Sequence, residues 1–168
     1  MRRCDIANVG LYYDKNFGDA VIVDSTSYLI RQILGDDFTS VTIVDLRGRS
    51  KFEDNTSERI KPRFHPRVSV KQVLRSYLPD SVYHKYTKFR ARKQDVVFEK
   101  AFSGKDLIVF AGGSLIKYKY QDIYFYLSEA IRIATRMEIP VILHGVGVEG
   151  YCNKDRRCQL LKRAITQT

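Results

Sequence analysis

The 168-residue chain lacks a long hydrophobic run, since none of its apolar stretches approaches the ~20 residues that span a bilayer. The apolar stretch near its N-terminus is too short for a signal peptide and is followed by charged residues. We therefore expect a cytoplasmic protein with no transmembrane segment. Hydrophobic residues make up 44% of the chain and charged residues 29%, which is typical of a globular domain with a sizeable core.

Cysteine is also scarce. The three cysteines are an odd number, and their spacing matches no pattern of metal ligands; they are Cys4, Cys152 and Cys158. In a cytoplasmic protein this pattern indicates reduced thiols and argues against a zinc site or a disulfide framework.

The common nucleotide-binding and nucleophile motifs are missing. The first predicted strand is not followed by Gly-x-Gly-x-x-Gly, and the chain has no Gly-x-x-x-x-Gly-Lys-Ser/Thr sequence. These absences argue against a nicotinamide-dependent enzyme and a P-loop ATPase. The sequence Gly112-Gly113-Ser114 does not form the Gly-x-Ser-x-Gly elbow of a serine hydrolase.

Acidic residues are sparse in the middle of the chain. Residues 47–105 contain sixteen Lys or Arg but six Asp or Glu, which accounts for the whole net charge of +10. Such a segment attracts nucleic acid, acidic membranes or anionic substrates, or it is a solvated face. Within it, residues 47–66 have few apolar anchors, so we expect a poorly ordered loop that proteases cut first.

Alternating strand and helix patterns fill the rest of the chain. Near-continuous apolar runs predict buried strands near residues 6–12, 41–45, 107–111 and 141–146. Helical spacing predicts helices over 22–34, 70–78, 82–102, 123–137 and 154–165. This alternation predicts a single α/β domain over residues 1–168 with a Rossmann-like, doubly wound, mostly parallel sheet. The basic segment 47–105 is then an elaborated crossover between the second and third strands.

Each predicted strand ends in glycine or in a polar turn. The turns are Gly18-Asp19, Asp45-Leu46-Arg47-Gly48, Gly112-Gly113-Ser114 and His144-Gly145-Val146-Gly147. In an open parallel sheet these carboxyl ends meet at one edge, where ligands bind. Glycines there expose backbone N–H groups to a phosphate or carboxylate, or they serve turn geometry alone.

The sequence Asn16-Phe17-Gly18-Asp19 joins a strand, a glycine turn and a helix start. Asp19 either caps the helix or acts on a ligand, such as an anion or a sugar hydroxyl, at the helix N-terminus. Arg47, after the second strand, can contribute a cation. His144, at the end of the fourth strand, can serve as an acid–base group, an anion donor or a structural histidine.

Three blocks of the sequence, in this order, resemble the polysaccharide pyruvyl transferases. They are Asn16-Phe17-Gly18-Asp19, the strand and glycine turn over 107–114, and the strand and Gly-x-Gly turn over 141–147. Together they cover most of the chain outside the basic segment. The resemblance extends to the N-terminal half of the family, so its second domain is absent from this sequence.

The resemblance implies a fold and a reaction. Family members are expected to have two Rossmann-like domains facing a cleft, as in GT-B glycosyltransferases. They are expected to transfer a pyruvyl group from phosphoenolpyruvate to sugar hydroxyls of a surface polysaccharide or its precursor, with no metal or organic cofactor. Because the phosphoenolpyruvate-binding residues are expected in the second domain, we expect the isolated chain to be inactive and to need that domain or a partner chain.

Asp19 is the predicted catalytic residue, orienting or deprotonating a sugar hydroxyl. The predicted substrate-binding residues are Asn16, Gly18, Arg47, Gly112, Gly113, Ser114, His144 and Gly145. Two alternatives remain open at this point. One is the acceptor-side domain of a GT-B glycosyltransferase with a nucleotide-sugar donor. The other is a basic nucleic-acid-binding module using a helix over 85–93, although that segment resembles no nucleic-acid motif.

Overall fold

The computed structural model describes residues 3–14, 16–35, 39–52, 94–117 and 123–166, together with positions 82, 85, 89 and 92. The predicted loop beyond residue 52, the predicted helix over 70–78 and most of the segment before residue 94 lie outside the described residues. Among the helices within the described ranges, none is long and apolar enough to cross a membrane.

The described elements alternate between strands and helices along the chain. In chain order they are β1 Cys4–Gly10, α1 Phe17–Leu34, β2 Thr39–Asp45, α2 Asp95–Phe102, β3 Leu107–Ala111, β4 Ile116–Lys117, α3 Ile123–Arg136, β5 Val141–His144, β6 Val148–Glu149 and α4 Arg156–Thr166. The main sheet has the strand order β2-β1-β3-β5, and β4 pairs with β6 separately. All of these pairings are parallel, which confirms the predicted α/β fold with a mostly parallel sheet.

The strand boundaries show where hydrophobicity alone misleads. β3 has its predicted bounds, but β1 and β2 each begin two residues earlier than predicted. Their first residues form the register pairs Cys4 with Thr39 and Asp5 with Ser40, because ladder hydrogen bonds need no apolar side chain. β1 ends at Gly10 since the chain turns at Tyr12, and β5 ends at His144, before the predicted residue 146.

One face of the sheet carries the main hydrophobic core. Ala7, Val9, Ile108 and Phe110 are fully buried there and pack with residues of α2, α3 and α4. Two buried phenyl rings of α2, Phe98 and Phe102, stack with centroids 5.7 Å apart; burial of such a side chain is worth about 1.5–3 kcal/mol. Most of the buried hydrophobic side chains of the described residues belong to this core.

Helix α1 covers a portion of the opposite face and is fixed by a buried polar contact. The Asn8 amide donates to the Val23 carbonyl and to Ser27 Oγ, both at 2.8 Å. Asn16 is the N-cap, and Gly35, with φ of 86°, ends the helix as predicted. The helix starts at Phe17, within the block 16–19 where the sequence predicts a helix start, and its cap is Asn16 rather than the candidate Asp19. Helices thus lie on both faces of the sheet.

Three charged side chains join α2 to α3. Arg132 donates from Nε to Glu129 at 2.6 Å and from Nη2 to Asp95 Oδ2 at 2.8 Å. Burial raises the pKa of Asp95, although the positive charge of Arg132 opposes the rise. In the folded protein the protonated form of Asp95 is therefore favoured relative to the unfolded chain.

We expect the free energy of unfolding of Asp95→Asn to increase, relative to that of the wild type, as pH rises. The stability contributed by a group with a raised pKa is complete below its ordinary value of 3.8 and is lost as pH rises through the folded value. Urea unfolding between about pH 3 and pH 6 measures this difference in unfolding free energy. Glu138→Gln, which removes an exposed carboxylate near the end of α3, is the control. If the wild type instead gains stability relative to Asp95→Asn as pH rises, the prediction is wrong.

Candidate functional site

The candidate site lies where the direction of the sheet topology reverses. From β1 the chain passes first to β2 on one side, and later to β3 and β5 on the other. In open α/β sheets the turns after two such strands diverge to opposite faces, which opens a crevice at their carboxyl ends. Here those turns lead into α1, which packs on one face, and toward α3, which packs on the other.

The carboxylate of Asp19 bridges these two turns. Its Oδ1 accepts a hydrogen bond from the Gly113 N–H at 3.2 Å, and its Oδ2 accepts one from Asn16 Nδ2 at 3.0 Å. Asn16 Oδ1 in turn accepts from the Gly18 N–H at 3.2 Å. Asp19 is thus not the N-cap of α1 but the residue that ties the start of α1 to the turn after β3.

Gly113 also connects this bridge to the turn after β5. Its carbonyl accepts hydrogen bonds from the Gly147 N–H at 2.5 Å and from the Leu115 N–H at 3.2 Å. A Cβ at position 113 would lie 3.0 Å from Asp19 Oδ1, and one at position 147 would lie 2.9 Å from the Gly113 carbonyl oxygen. A side chain at position 147 would therefore force the backbone to shift, whereas one at position 113 would crowd the Asp19 carboxylate. Three of the four strand-end turns form one hydrogen-bonded unit.

The remaining predicted residues after β3 and β5 lie around this unit. Ser114 Oγ donates to Glu149 at 2.6 Å, beside the β4–β6 pair. His144 is exposed at the end of β5, opposite Ala111. It lines a largely apolar groove of about 230 Å³ between α1 and strands β3 and β5. Gly145 is exposed and has a φ of 61°.

A second carboxylate organises the turn after β2. Asp45 is buried and accepts three backbone hydrogen bonds, from Arg47 at 2.9 Å, Arg49 at 3.1 Å and Tyr13 at 2.9 Å. The guanidinium groups of Arg47 and Arg49 each lie 3.3 Å from a carboxylate oxygen of Asp14. The predicted cation of Arg47 therefore already has a carboxylate partner, and a substrate anion would have to compete with it.

Four aromatic rings form a cluster at the start of α1. Phe52 contacts Tyr12, Tyr13 and Phe17 at centroid distances of 6.0, 5.1 and 5.5 Å. The Tyr12 hydroxyl donates to Asp24 at 3.3 Å. Burial raises the pKa of Tyr12, and the negative charge of Asp24 adds to the rise, so the phenol stays protonated at neutral pH.

The structure thus brings some of the predicted site residues together and leaves others apart. Hydrogen bonds directly join Asn16, Gly18, Asp19 and Gly113. Gly112 and Ser114 flank Gly113 in the chain, and Gly145 lies two residues before Gly147. Arg47 instead forms an ion pair with Asp14, and His144 instead lines an apolar groove. No family model matches the chain, and no curated protein matches it significantly.

Sequence reasoning missed the aromatic rings and the structural carboxylates near the site. Tyr12, Tyr13 and Phe17 flank the glycine turn directly, so their clustering in sequence is the signal that points to an aromatic surface. Asp45 ends β2 in a polar turn, which is a typical position for a carboxylate that binds loop N–H groups. Nothing in the sequence indicates that Asp14 pairs with arginines 33 or more positions away.

We expect Asp19→Ala to lower the free energy of unfolding by about 1–2 kcal/mol, because the Gly113 N–H loses its acceptor. Asp19→Asn retains an acceptor oxygen and should cost less. Gln32→Ala, on the exposed surface of the same helix, is the control and should change stability by no more than about 0.5 kcal/mol. Urea denaturation measures all three; equal effects of Asp19→Ala and Gln32→Ala would rule out a stabilising bridge.

Proposed function

We propose that this chain forms the acceptor side of a polysaccharide pyruvyl transferase, in which Asp19 binds and deprotonates a saccharide hydroxyl. The observation that carries the proposal is the position of Asp19 at the carboxyl edge of the sheet, in the crevice between the turns after β1 and β3. The resemblance of the blocks at 16–19, 107–114 and 141–147 to that family supports the choice of reaction.

The carboxylate of Asp19 has capacity for such a ligand. An ionised carboxylate offers about four lone-pair positions, and the structure uses one hydrogen bond at each oxygen. Asp19 is also partly exposed, so a hydroxyl can reach it. The bonds from Gly113 and Asn16 fix its orientation, which lowers the cost of positioning the group for proton transfer.

The proposed reaction assigns different needs to acceptor and donor. One sugar hydroxyl adds to C2 of phosphoenolpyruvate while C3 is protonated; a second hydroxyl then displaces phosphate, leaving a ketal and inorganic phosphate. Asp19 removes a hydroxyl proton in this scheme. Gly112, Gly113 and Gly145 would line the floor of the acceptor cleft, and Asn16, Gly18, Ser114 and His144 its sides.

The donor requires positive charge for its carboxylate and phosphate. Near the crevice, the described guanidinium groups of Arg47 and Arg49 are already paired with Asp14. We therefore assign most of the donor-binding charge to a second domain or a partner chain, which would also exclude water from the cleft. The proposal includes no metal or organic cofactor.

The identity of the donor substrate distinguishes the proposed pyruvyl transferase from a GT-B glycosyltransferase. We expect the isolated chain, incubated with phosphoenolpyruvate and a panel of oligosaccharides, to fold and to form no ketal. Co-expression with the second domain of a pyruvyl transferase should yield a ketal, detected by its methyl proton signal in NMR spectra and by mass.

Three results would contradict this proposal. Robust turnover by the 168-residue chain alone would show that the acceptor side is not a half-site. Transfer of a sugar from a nucleotide-sugar donor by the same assembly would favour the glycosyltransferase. Tight binding of single-stranded or double-stranded DNA that falls steeply with salt would favour the nucleic-acid module.

A further inference from the structure

Two phenyl rings that contact each other are exposed at the start of α1. Phe17 is the first residue of α1 and follows the N-cap Asn16; it is 63% exposed, and Phe52 is 40% exposed. Their centroids lie 5.5 Å apart with the ring planes at 36°. Large apolar side chains placed together at the surface mark a binding site more often than scattered ones do.

One of these rings, that of Phe52, packs on a loop residue whose backbone is hydrogen-bonded on both sides. Phe52 meets the edge of Tyr13 at 5.1 Å with an interplanar angle of 77°. The backbone of Tyr13 is fixed on both sides, since its N–H donates to Asp45 and its carbonyl accepts from Arg49 at 2.8 Å. A surface fixed before binding loses less entropy when a ligand arrives.

The chemistry around the rings favours an amphipathic ring-shaped ligand over a protein surface. Asn16 is exposed beside Phe17, Asp19 lies two residues beyond it, and Asp14 carries the nearby ion pairs. The face of a phenyl ring is negative and attracts polarised C–H groups. A pyranose presents C–H groups on its faces and hydroxyls at its edge, so it matches aromatic rings bordered by carboxylates and an amide.

We propose that Phe17 and Phe52 form a stacking platform for a pyranose ring of the acceptor saccharide. The inference rests on the proposed function in taking a saccharide as the ligand. It adds a subsite for the acceptor at the start of α1.

Saturation-transfer NMR on the full 168-residue chain tests the platform, with lactose and methyl glycosides of glucose, galactose and mannose as probes. We expect saturation at the C–H protons of at least one probe, and dissociation constants about fivefold or more higher for Phe17→Ala and Phe52→Ala. Phe17→Tyr keeps the ring face and should bind like the wild type. Val96→Ala, which truncates a 71% exposed side chain of α2, should also bind like the wild type.

Circular dichroism of each variant confirms that the fold is retained. Absence of saturation with every probe in the wild-type chain would overturn the platform, as would unchanged binding by Phe17→Ala and Phe52→Ala. Ring-dependent binding of uridine diphosphate in place of glycosides would overturn it in favour of a nucleotide. Ring-dependent glycoside binding supports the platform even if the two-domain assembly forms no ketal. Failure to form a ketal would count against pyruvyl transfer but not against the platform.

Discussion

The hydrogen bond between the Asp19 carboxylate and the Gly113 N–H is the contact that the candidate site depends on. It spans the crevice between β1 and β3 and joins segments 94 positions apart in the chain. Through the Gly113 carbonyl the same unit reaches Gly147 after β5. A Cβ at position 147 would clash with the Gly113 carbonyl, and one at position 113 would crowd Asp19, so space as well as hydrogen bonding constrains this unit.

Asp45 has a comparable structural role at the end of the neighbouring strand, and the two carboxylates differ in a way that bears on function. Asp45 is buried and accepts three backbone hydrogen bonds, so its acceptor capacity is largely used. Asp19 is partly exposed and accepts two. The Asp45 carboxylate therefore holds loops together, whereas that of Asp19 combines a fixed orientation with room for a ligand.

The sequence predicts the sheet well because buried parallel strands are almost continuously apolar. The segments at 107–111 and 123–137 match β3 and α3 closely, and Gly35 ends α1 as expected. The two-residue strands β4 and β6 escape prediction because so short a segment has no detectable periodicity. The block 16–19 predicts the start of α1, but the residue that caps it is Asn16 and not Asp19.

The candidate site is less predictable than the fold, because its contacts join distant segments of the chain. The glycines after β3 and β5 indicate the correct edge of the sheet, but spacing alone does not reveal that Gly113 contacts both Asp19 and Gly147. Similarly, Arg47 is a free cation in the sequence and an ion-paired one in the structure. Contacts of this kind depend on the order of the strands in the sheet, and local sequence patterns do not show that order.

Ketal formation by Asp19→Asn in the two-domain assembly tests the role of this carboxylate most directly. Asparagine keeps an acceptor oxygen for the Gly113 N–H but cannot take a proton from a sugar hydroxyl. We expect unfolding free energy near that of the wild type and a rate of ketal formation lower by about a hundredfold or more. Transfer at the wild-type rate would show that Asp19 serves only to join the turns after β1 and β3.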